Sequence, residues 1–266
     1  MIKRELYMNR IRPFIGGELI KVMTGIRRSG KSVMLELIKE ELAEAGVAPS
    51  QMISINFEDM RYSHLQTATA LHDEIIKRAE GIEGKAYLFF DEIQEVEGWE
   101  KCVNSLRVAL DCDIYITGSN AKLLSGELAT YIGGRYVEFV IYPFSFAEFL
   151  ELYHTIAPSD SIQQCFQKYL LAGGMPYLAN LRYEEEPSRQ YLTDLFNSVQ
   201  LKDIVKRNKI RDIDLLERII AYMTANVGTV FSASSLAKFF KNEQRTVAAE
   251  TILNYVRYCC DAYLFY

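Results

Sequence analysis

Residues Gly25-Ile26-Arg27-Arg28-Ser29-Gly30-Lys31-Ser32 have the spacing G-x-x-x-x-G-K-[ST]. The chemistry open to such a run is the binding of a polyphosphate. Glycine at both ends lets the backbone curl so that successive N–H groups point at phosphate oxygens. Lys31 is spaced to reach the terminal phosphates as a compact cation, and Ser32 to offer a hydroxyl to Mg²⁺. A helix opening at Ser32 would aim its positive end at the anion. Gly25, Arg28 and Ser29 are assigned with Gly30, Lys31 and Ser32 to nucleotide binding. The side chains of Arg27 and Arg28 are either solvated loop charges or contacts to a phosphate or a neighbouring subunit.

A second chemical signal follows at Tyr87-Leu88-Phe89-Phe90-Asp91-Glu92, four apolar residues ending in two carboxylates. A buried strand that ends in charge needs a reason. Beside a phosphate loop the reason is that Asp91 supports the Mg²⁺ shell and Glu92 polarises the attacking water. A GTPase would carry D-x-x-G here, but position 94 is Gln94, and Asn208-Lys209-Ile210-Arg211 misses the last residue of N-K-x-D. An ATPase with a glutamate base fits better. The stretch Ile114 to Asn120 ends in small polar residues, with Asn120, Ser119 and Thr117, in that order, able to sense a γ-phosphate or position water, or else to serve as turn residues. Arg135, after Gly133-Gly134, either stabilises transition-state charge within the chain or across subunits, or is structural.

These groups need elements to hold them. Apolar runs at Leu19–Thr24, Met52–Phe57, Ala86–Phe90, Asp113–Thr117 and Tyr136–Ile141 are the strand candidates, most of them continuous enough to be buried on both faces. Between them lie helix-length segments. Ser32–Ala45 is closed by Gly46, and Trp99–Leu110 carries Trp99, Val103, Leu106 and Leu110 on one stripe. The alternation predicts an α/β fold, a parallel sheet with helices on both faces. Beyond Ile141 the pattern turns helical, interrupted at Gly173-Gly174-Met175-Pro176 and near Glu184–Pro187. A boundary is placed within 142–160, giving a P-loop domain over 1–150 and a helical region over 151–266.

Composition is that of a globular chain, with 49% hydrophobic and 24% charged residues, so disorder is not expected. No apolar run approaches a membrane span, and the N-terminus lacks a signal-peptide core; a cytoplasmic protein is expected. The net charge of −5 speaks against a broad basic surface. Five cysteines without a C-x-x-C pair read as reduced, mostly buried thiols, and three scattered histidines suggest no metal site.

Taken together, these residues resemble the bacterial and archaeal AAA-plus-like ATPases that carry a C-terminal domain of unknown function. The matching pieces run in order: V-M-T-G-I-R-R-S-G-K-S at 22–32, I-N-F-E-D at 55–59, L-F-F-D-E-I-Q at 88–94, I-T-G-S-N-A-K-L-L-S at 116–125, G-G-R-Y at 133–136 and Y-P-F-S-F-A-E-F-L at 142–150. G-G-M-P at 173–176 and the terminal D-A-Y-L-F-Y also fit. The resemblance implies an ATPase core followed by further helices and a winged-helix-like module. It carries roles to Gly30, Lys31, Ser32, Asp91 and Glu92, and less directly to Asn120 and Arg135. Glu58 and Asp59 match without an assigned role. Relatives of this kind usually run longer, so Ala262–Tyr266 reads as a wing strand without its partner, in a truncated version of the protein.

Three helices are expected at Asp212–Asn226, Ser234–Phe240 and Ala248–Cys260, the last with Ala248, Ile252, Tyr255 and Cys259 on one stripe. The spacing is close to helix-turn-helix. Residues 207–266 hold eight basic and six acidic residues, a net of +2 and weak for a DNA-binding domain. The expected activity is Mg²⁺-dependent ATP hydrolysis that drives a conformational change. The alternatives are a nucleotide-gated protein- or DNA-binding module with little hydrolysis and, more weakly, a small-molecule phosphotransferase. ATP and Mg²⁺ are the cofactors expected, with an unidentified protein partner, DNA and a second copy of the chain as candidate partners, and no membrane.

Overall fold

The computed structural model describes residues 2–121, 132–242 and 244–266. The chain packs as two compact units, residues 1–190 and 191–266. The first unit therefore keeps the helices that follow residue 150, and the packing division falls about forty residues later in the chain than the domain boundary expected from composition.

The first unit begins with helix α1 (Glu5–Ile11), followed by β1 (Ile20–Thr24), α2 (Lys31–Glu44), β2 (Met52–Asn56), α3 (Ala68–Ala79), β3 (Ala86–Asp91), α4 (Trp99–Ala109), β4 (Cys112–Thr117) and β5 (Tyr136–Val140). The expected strands agree with these to within one residue at each end. The five strands form one parallel sheet in the order β2-β3-β4-β1-β5. Parallel strands need crossovers, and α2, α3 and α4 supply them. The two-residue side-chain period divides the sheet into two cores. Ile20, Val22, Leu88, Phe90, Ile114 and Ile116 face Leu71 and Ile75 of α3 and Trp99, Val103 and Leu106 of α4. Met23, Phe89, Tyr115 and Phe139 face Tyr7, Met8 and Ile11 of α1 and Met34, Ile38 and Leu42 of α2. Phe89 and Tyr115 stack with ring centroids 4.8 Å apart.

After β5, Ser145 caps α5 (Phe146–Ile156) in a capping box with Glu148. Helix α6 (Ile162–Ala172) follows, then a short helical turn at Pro176–Ala179. Helix α7 (Glu185–Ser198) spans the division in sequence. The second unit continues with a π-helical segment (Val199–Lys206) and helices α8 (Ile213–Ala225), α9 (Ala233–Asn242) and α10 (Ala249–Asp261). Leu215, Ile219, Leu236, Phe240 and Ile252 form its core. No strand occurs among the described residues of this unit.

The expected wing strand at Ala262–Tyr266 is therefore corrected. Tyr263 adopts a left-handed φ of 57°. Its N–H bonds to the carbonyl of Cys260 at 2.9 Å, and the N–H of Leu264 bonds to that of Cys259 at 2.9 Å. This is a Schellman closure of α10, which commits those backbone groups to the helix end. All five cysteines are free, four of them buried. No described helix is long and apolar enough to cross a membrane.

Candidate active site

In a parallel sheet, ligands collect where the strands end and the helices begin. The phosphate loop joins β1 to α2 at that edge, next to the C-terminal ends of β3 and β4. Gly25 has φ of 138°, and a Cβ built there would lie 2.2 Å from the carbonyl oxygen of Ile141, so only glycine lets β1 pass the end of β5. Gly30 caps α2 at φ of 101° without a side-chain acceptor, leaving the first amides of that helix directed outward. Arg28 is also left-handed, at φ of 68°.

Lys31 is nearly buried and folds back over the loop, its Nζ donating to the carbonyls of Gly25 and Ile26 at 3.1 Å each. The same ammonium is 3.9 Å from Oε1 of Glu92. Ser29 is fully buried, and its hydroxyl has no hydrogen-bond partner among the described residues. Ser32, in the first turn of α2, is near enough to Asp91 to act against the rise in its pKa.

Asp91 ends β3, and Glu92 follows it with φ of 54°, a bend that turns the second carboxylate toward the loop. Thr117, at the end of β4, donates from Oγ1 to Asp91 Oδ1 at 2.5 Å and accepts the Glu92 N–H at 2.9 Å. Asn56, at the end of β2, donates to Asp91 Oδ2 at 3.2 Å. The Ser119 hydroxyl is within 2.7 Å of Glu92 Oε1 and 2.6 Å of Oε2, and Gln94 Nε2 also donates to Oε2.

The two carboxyls shift in opposite directions. Burial pushes Asp91 above the usual carboxylate range, and the hydroxyls of Thr117 and Ser32 offset this only in part. Burial also acts to raise Glu92, but the charge of Lys31 and the hydrogen bonds from Ser119 and Gln94 outweigh it and hold Glu92 below its ordinary value. Asp91 is thus a buried carboxylate bonded to neutral groups, which suits a divalent cation, while Glu92 stays ionised. The orphaned Ser29 hydroxyl, the inward-folded Lys31 and the start of α2, which has no side-chain cap, likewise fit a polyphosphate with its metal.

Arg27, Arg28, Gly30, Lys31, Ser32, Glu58 and Glu92 line a cleft of about 340 Å³ together with Pro176, Tyr177 and Asn180. The structure thus brings the loop, Asp91 and Glu92 together. Glu58, which had no assigned role, reaches Arg27 at 3.3 Å, and Asp59 caps the turn after β2 by accepting from the N–H of Arg61 at 2.9 Å. Asn120 is buried in the loop after β4, and Thr117 and Ser119 touch the acidic pair. Lys122 to Ser125, part of the family-like stretch 116–125, lie outside the described residues, as does Glu243 of the charge tally.

Arg135 lies just before β5, beside the start of β1. Its carbonyl accepts the N–H of Ile20, at the start of β1, and its guanidinium reaches Asn104 at 3.1 Å. The phosphate loop begins beyond Thr24, a strand run of about 13 Å away at the opposite edge of the sheet. These contacts are those of the structural alternative, and the transition-state role, within the chain or across subunits, stays an expectation. Sequence reasoning also missed Arg4, Asn56, Gln94, Pro176, Tyr177 and Asn180. Asn56 and Gln94 sit inside the family-like pieces 55–59 and 88–94 and carried that much signal; Arg4 carried none.

A family model described as an AAA domain matches residues 18–150, and one described as a domain of unknown function (DUF8612) matches residues 163–266. An uncharacterized protein of Haemophilus influenzae is 38% identical over 267 residues, covering 100% of this chain and 66% of that protein. An uncharacterized protein of Methanocaldococcus jannaschii is 33% identical over 259 residues, covering 93% of this chain and 56% of that protein. The chain thus spans less than two thirds of the length of either relative. Among solved structures, the Aeropyrum pernix ORC1 protein in complex with DNA is similar at TM-score 0.44 and 14% identity, over 97% of this chain and 83% of that one. The replication initiator DnaA bound to AMPPCP and single-stranded DNA is similar at TM-score 0.41 and 14% identity, over 96% and 87%. The AAA match extends from just before β1 to α5 and takes in the phosphate loop and both carboxylates, half of the 266 residues, and on that match the chain belongs to the AAA domain family.

Proposed function

We propose that this chain is a Mg²⁺-dependent ATPase whose turnover drives a conformational change. The observation that carries the reading is the convergence of Lys31, Ser32, Asp91 and Glu92 at one end of the sheet, with Lys31 and Glu92 only 3.9 Å apart. The loop amides and Lys31 bind and orient the phosphates. Ser32 and Asp91 would hold Mg²⁺, which when bound supplies positive charge for the phosphate oxygens. Glu92 takes the proton of the attacking water, a role suited to a carboxylate kept ionised. Ser119 and Gln94 fix its orientation. The segment best placed to respond to occupancy is the one around Pro176–Asn180, because it lines the same cleft.

The test is steady-state phosphate release from Mg-ATP by the full chain, with Lys31→Ala and Glu92→Gln alongside. Lys31→Ala should abolish ATP binding. Glu92→Gln should keep binding and lose about 10²–10⁴-fold in turnover, the usual contribution of a general base. Tight binding with no turnover in the unmutated chain would replace the enzyme reading with a nucleotide-gated module. A DNA-binding version of that module would draw little on Arg207, Arg218 and Arg245, which are paired with carboxylates.

A further inference from the structure

Arg4 is buried, with its side chain 1% exposed, and lies directly behind the phosphate loop. Its Nη1 donates to the carbonyl of Ser29 at 2.9 Å, and its Nη2 to the carbonyl of Tyr142 at 2.8 Å. Its Nε donates to Glu148 Oε1 at 2.7 Å. The rings of Tyr7 and Phe144 lie against the guanidinium, with centroids at 4.6 and 5.1 Å. One planar group thus joins the phosphate loop to the turn that leaves β5. Only arginine has donors fixed in several directions for such a task, and lysine is a single point charge.

Burying an ion pair is a poor way to gain stability, because desolvation opposes the attraction and apolar replacements often do as well. A role in the site explains the arrangement better. The contacts form a closed circuit. Phe144 donates its N–H to the carbonyl of Gly174 at 2.6 Å. A Cβ on Gly174 would lie 2.1 Å from the carbonyl oxygen of Phe144, so the two backbones are locked. Two residues later Pro176 returns to the phosphate loop, its Cγ 4.0 Å from where a Cβ of Gly30 would sit, while Arg4 Nη1 is 3.4 Å from the same point. Loop, Arg4, turn and cleft wall are therefore mechanically one piece.

We infer that Arg4 is a positioning residue for nucleotide binding: by holding the Ser29 carbonyl it keeps the loop amides aimed into the cleft, and through Tyr142 and Phe144 it links the loop to the wall at Pro176. The inference rests on the proposed ATP site. A wrongly aimed loop weakens ATP binding, whereas Glu92 and its partners Ser119 and Gln94 make no contact with Arg4 and keep their geometry.

The experiment measures ATP affinity, KM and kcat for the full chain and for Arg4→Met, Arg4→Lys and Glu148→Gln. Tyr115→Phe is the control, since it removes the 2.7 Å hydrogen bond to Asp113 and touches no part of the loop. Arg4→Met should raise Kd and KM about tenfold or more, with kcat within about threefold. Arg4→Lys should raise them less, and Glu148→Gln should lie between Arg4→Lys and the unmutated chain. Tyr115→Phe should lower the melting temperature with Kd unchanged. If Arg4→Met does not fold, Arg4→Lys and Glu148→Gln carry the test. Arg4 variants that melt earlier yet bind ATP as the unmutated chain does would overturn the inference and leave Arg4 structural, with the ATP site intact. An unmutated chain that binds no ATP would overturn the ATP site itself, and this inference with it.

Discussion

The hydroxyl of Thr117 lies 2.5 Å from Oδ1 of Asp91, donating to the buried carboxylate while accepting the backbone N–H of Glu92 at 2.9 Å. One side chain at the end of β4 therefore sets the position of both acidic residues at the end of β3. Thr117→Val keeps the shape and removes both bonds. It leaves a buried N–H unpaired, so it should cost about 1–3 kcal/mol. Urea unfolding should show the lower midpoint, and phosphate release should fall as Glu92 loses its orientation. Thr117→Ser should recover most of both.

Gly25 stands where the backbones of β1 and the end of β5 come closest. A Cβ there would lie 2.2 Å from the Ile141 carbonyl oxygen, at a φ of 138°. Gly25→Ala must displace one of the two chains. We expect a loss of about 1–3 kcal/mol from backbone strain alone, together with loss of ATP binding measured by calorimetry. Normal affinity would show that the loop tolerates a shifted start.

At the other edge of the sheet, Lys21 and Asp113 form an ion pair with both side chains fully buried. Asp113 also accepts from the Gly16 N–H at 2.6 Å and the Tyr115 hydroxyl at 2.7 Å, tying the N-terminal turn to β1 and β4. Burial lowers the Lys21 pKa, and Asp113 offsets this only in part. Lys21→Met leaves the buried carboxylate without its cation and should cost about 3–5 kcal/mol in chemical denaturation. Adding Asp113→Asn should restore part of that. ATP affinity should not change in either variant.

Glu148 gives a pH dependence with a definite sign. Burial acts to raise its pKa, but the hydrogen bonds from Arg4 and the Ser145 backbone outweigh it and hold it below the ordinary 4.5. A depressed folded pKa means that the contribution to stability is complete above the unfolded value and is lost as pH falls through the folded one. Melting temperatures measured from pH 7 downward should hold until about pH 4.5 and then drop. In Glu148→Gln the starting value should be lower and the acid drop shallower. Equal slopes in the two proteins would remove Glu148 from the acid response.

Much of this was legible in the chain itself, for reasons that differ by residue. The phosphate loop is local chemistry, since eight consecutive residues carry its glycines, cation and hydroxyl. The strands are legible because sheet residues buried on both faces leave unbroken apolar runs, as at Leu88-Phe89-Phe90. Asp91 and Glu92 stand out because charge at the end of such a run is costly. The helix Trp99–Ala109 follows from a stripe that its own period reveals. The alternatives for Arg135 stayed open because a residue next to a glycine pair does not show which end of the sheet it occupies; the register of β5 against β1 sets it beside Ile20. Ala262–Tyr266 was misread as a strand because its apolar pattern does not show that Tyr263 turns left-handed to close α10.

What the sequence by itself determined is whatever depends on neighbours along the chain: the loop, the alternation of strand and helix, the acidic strand end and the absence of GTPase signatures. What only the tertiary structure decided is whatever depends on pairs far apart in number. Arg4 meets Ser29, Tyr142 and Glu148, and Pro176 returns to the loop at Gly30. Periodicity reports which side of an element faces a core, but it holds no information on which distant carbonyl a buried guanidinium will meet. That meeting is set by how α1 packs on the open parallel sheet, which brings Arg4 behind the phosphate loop.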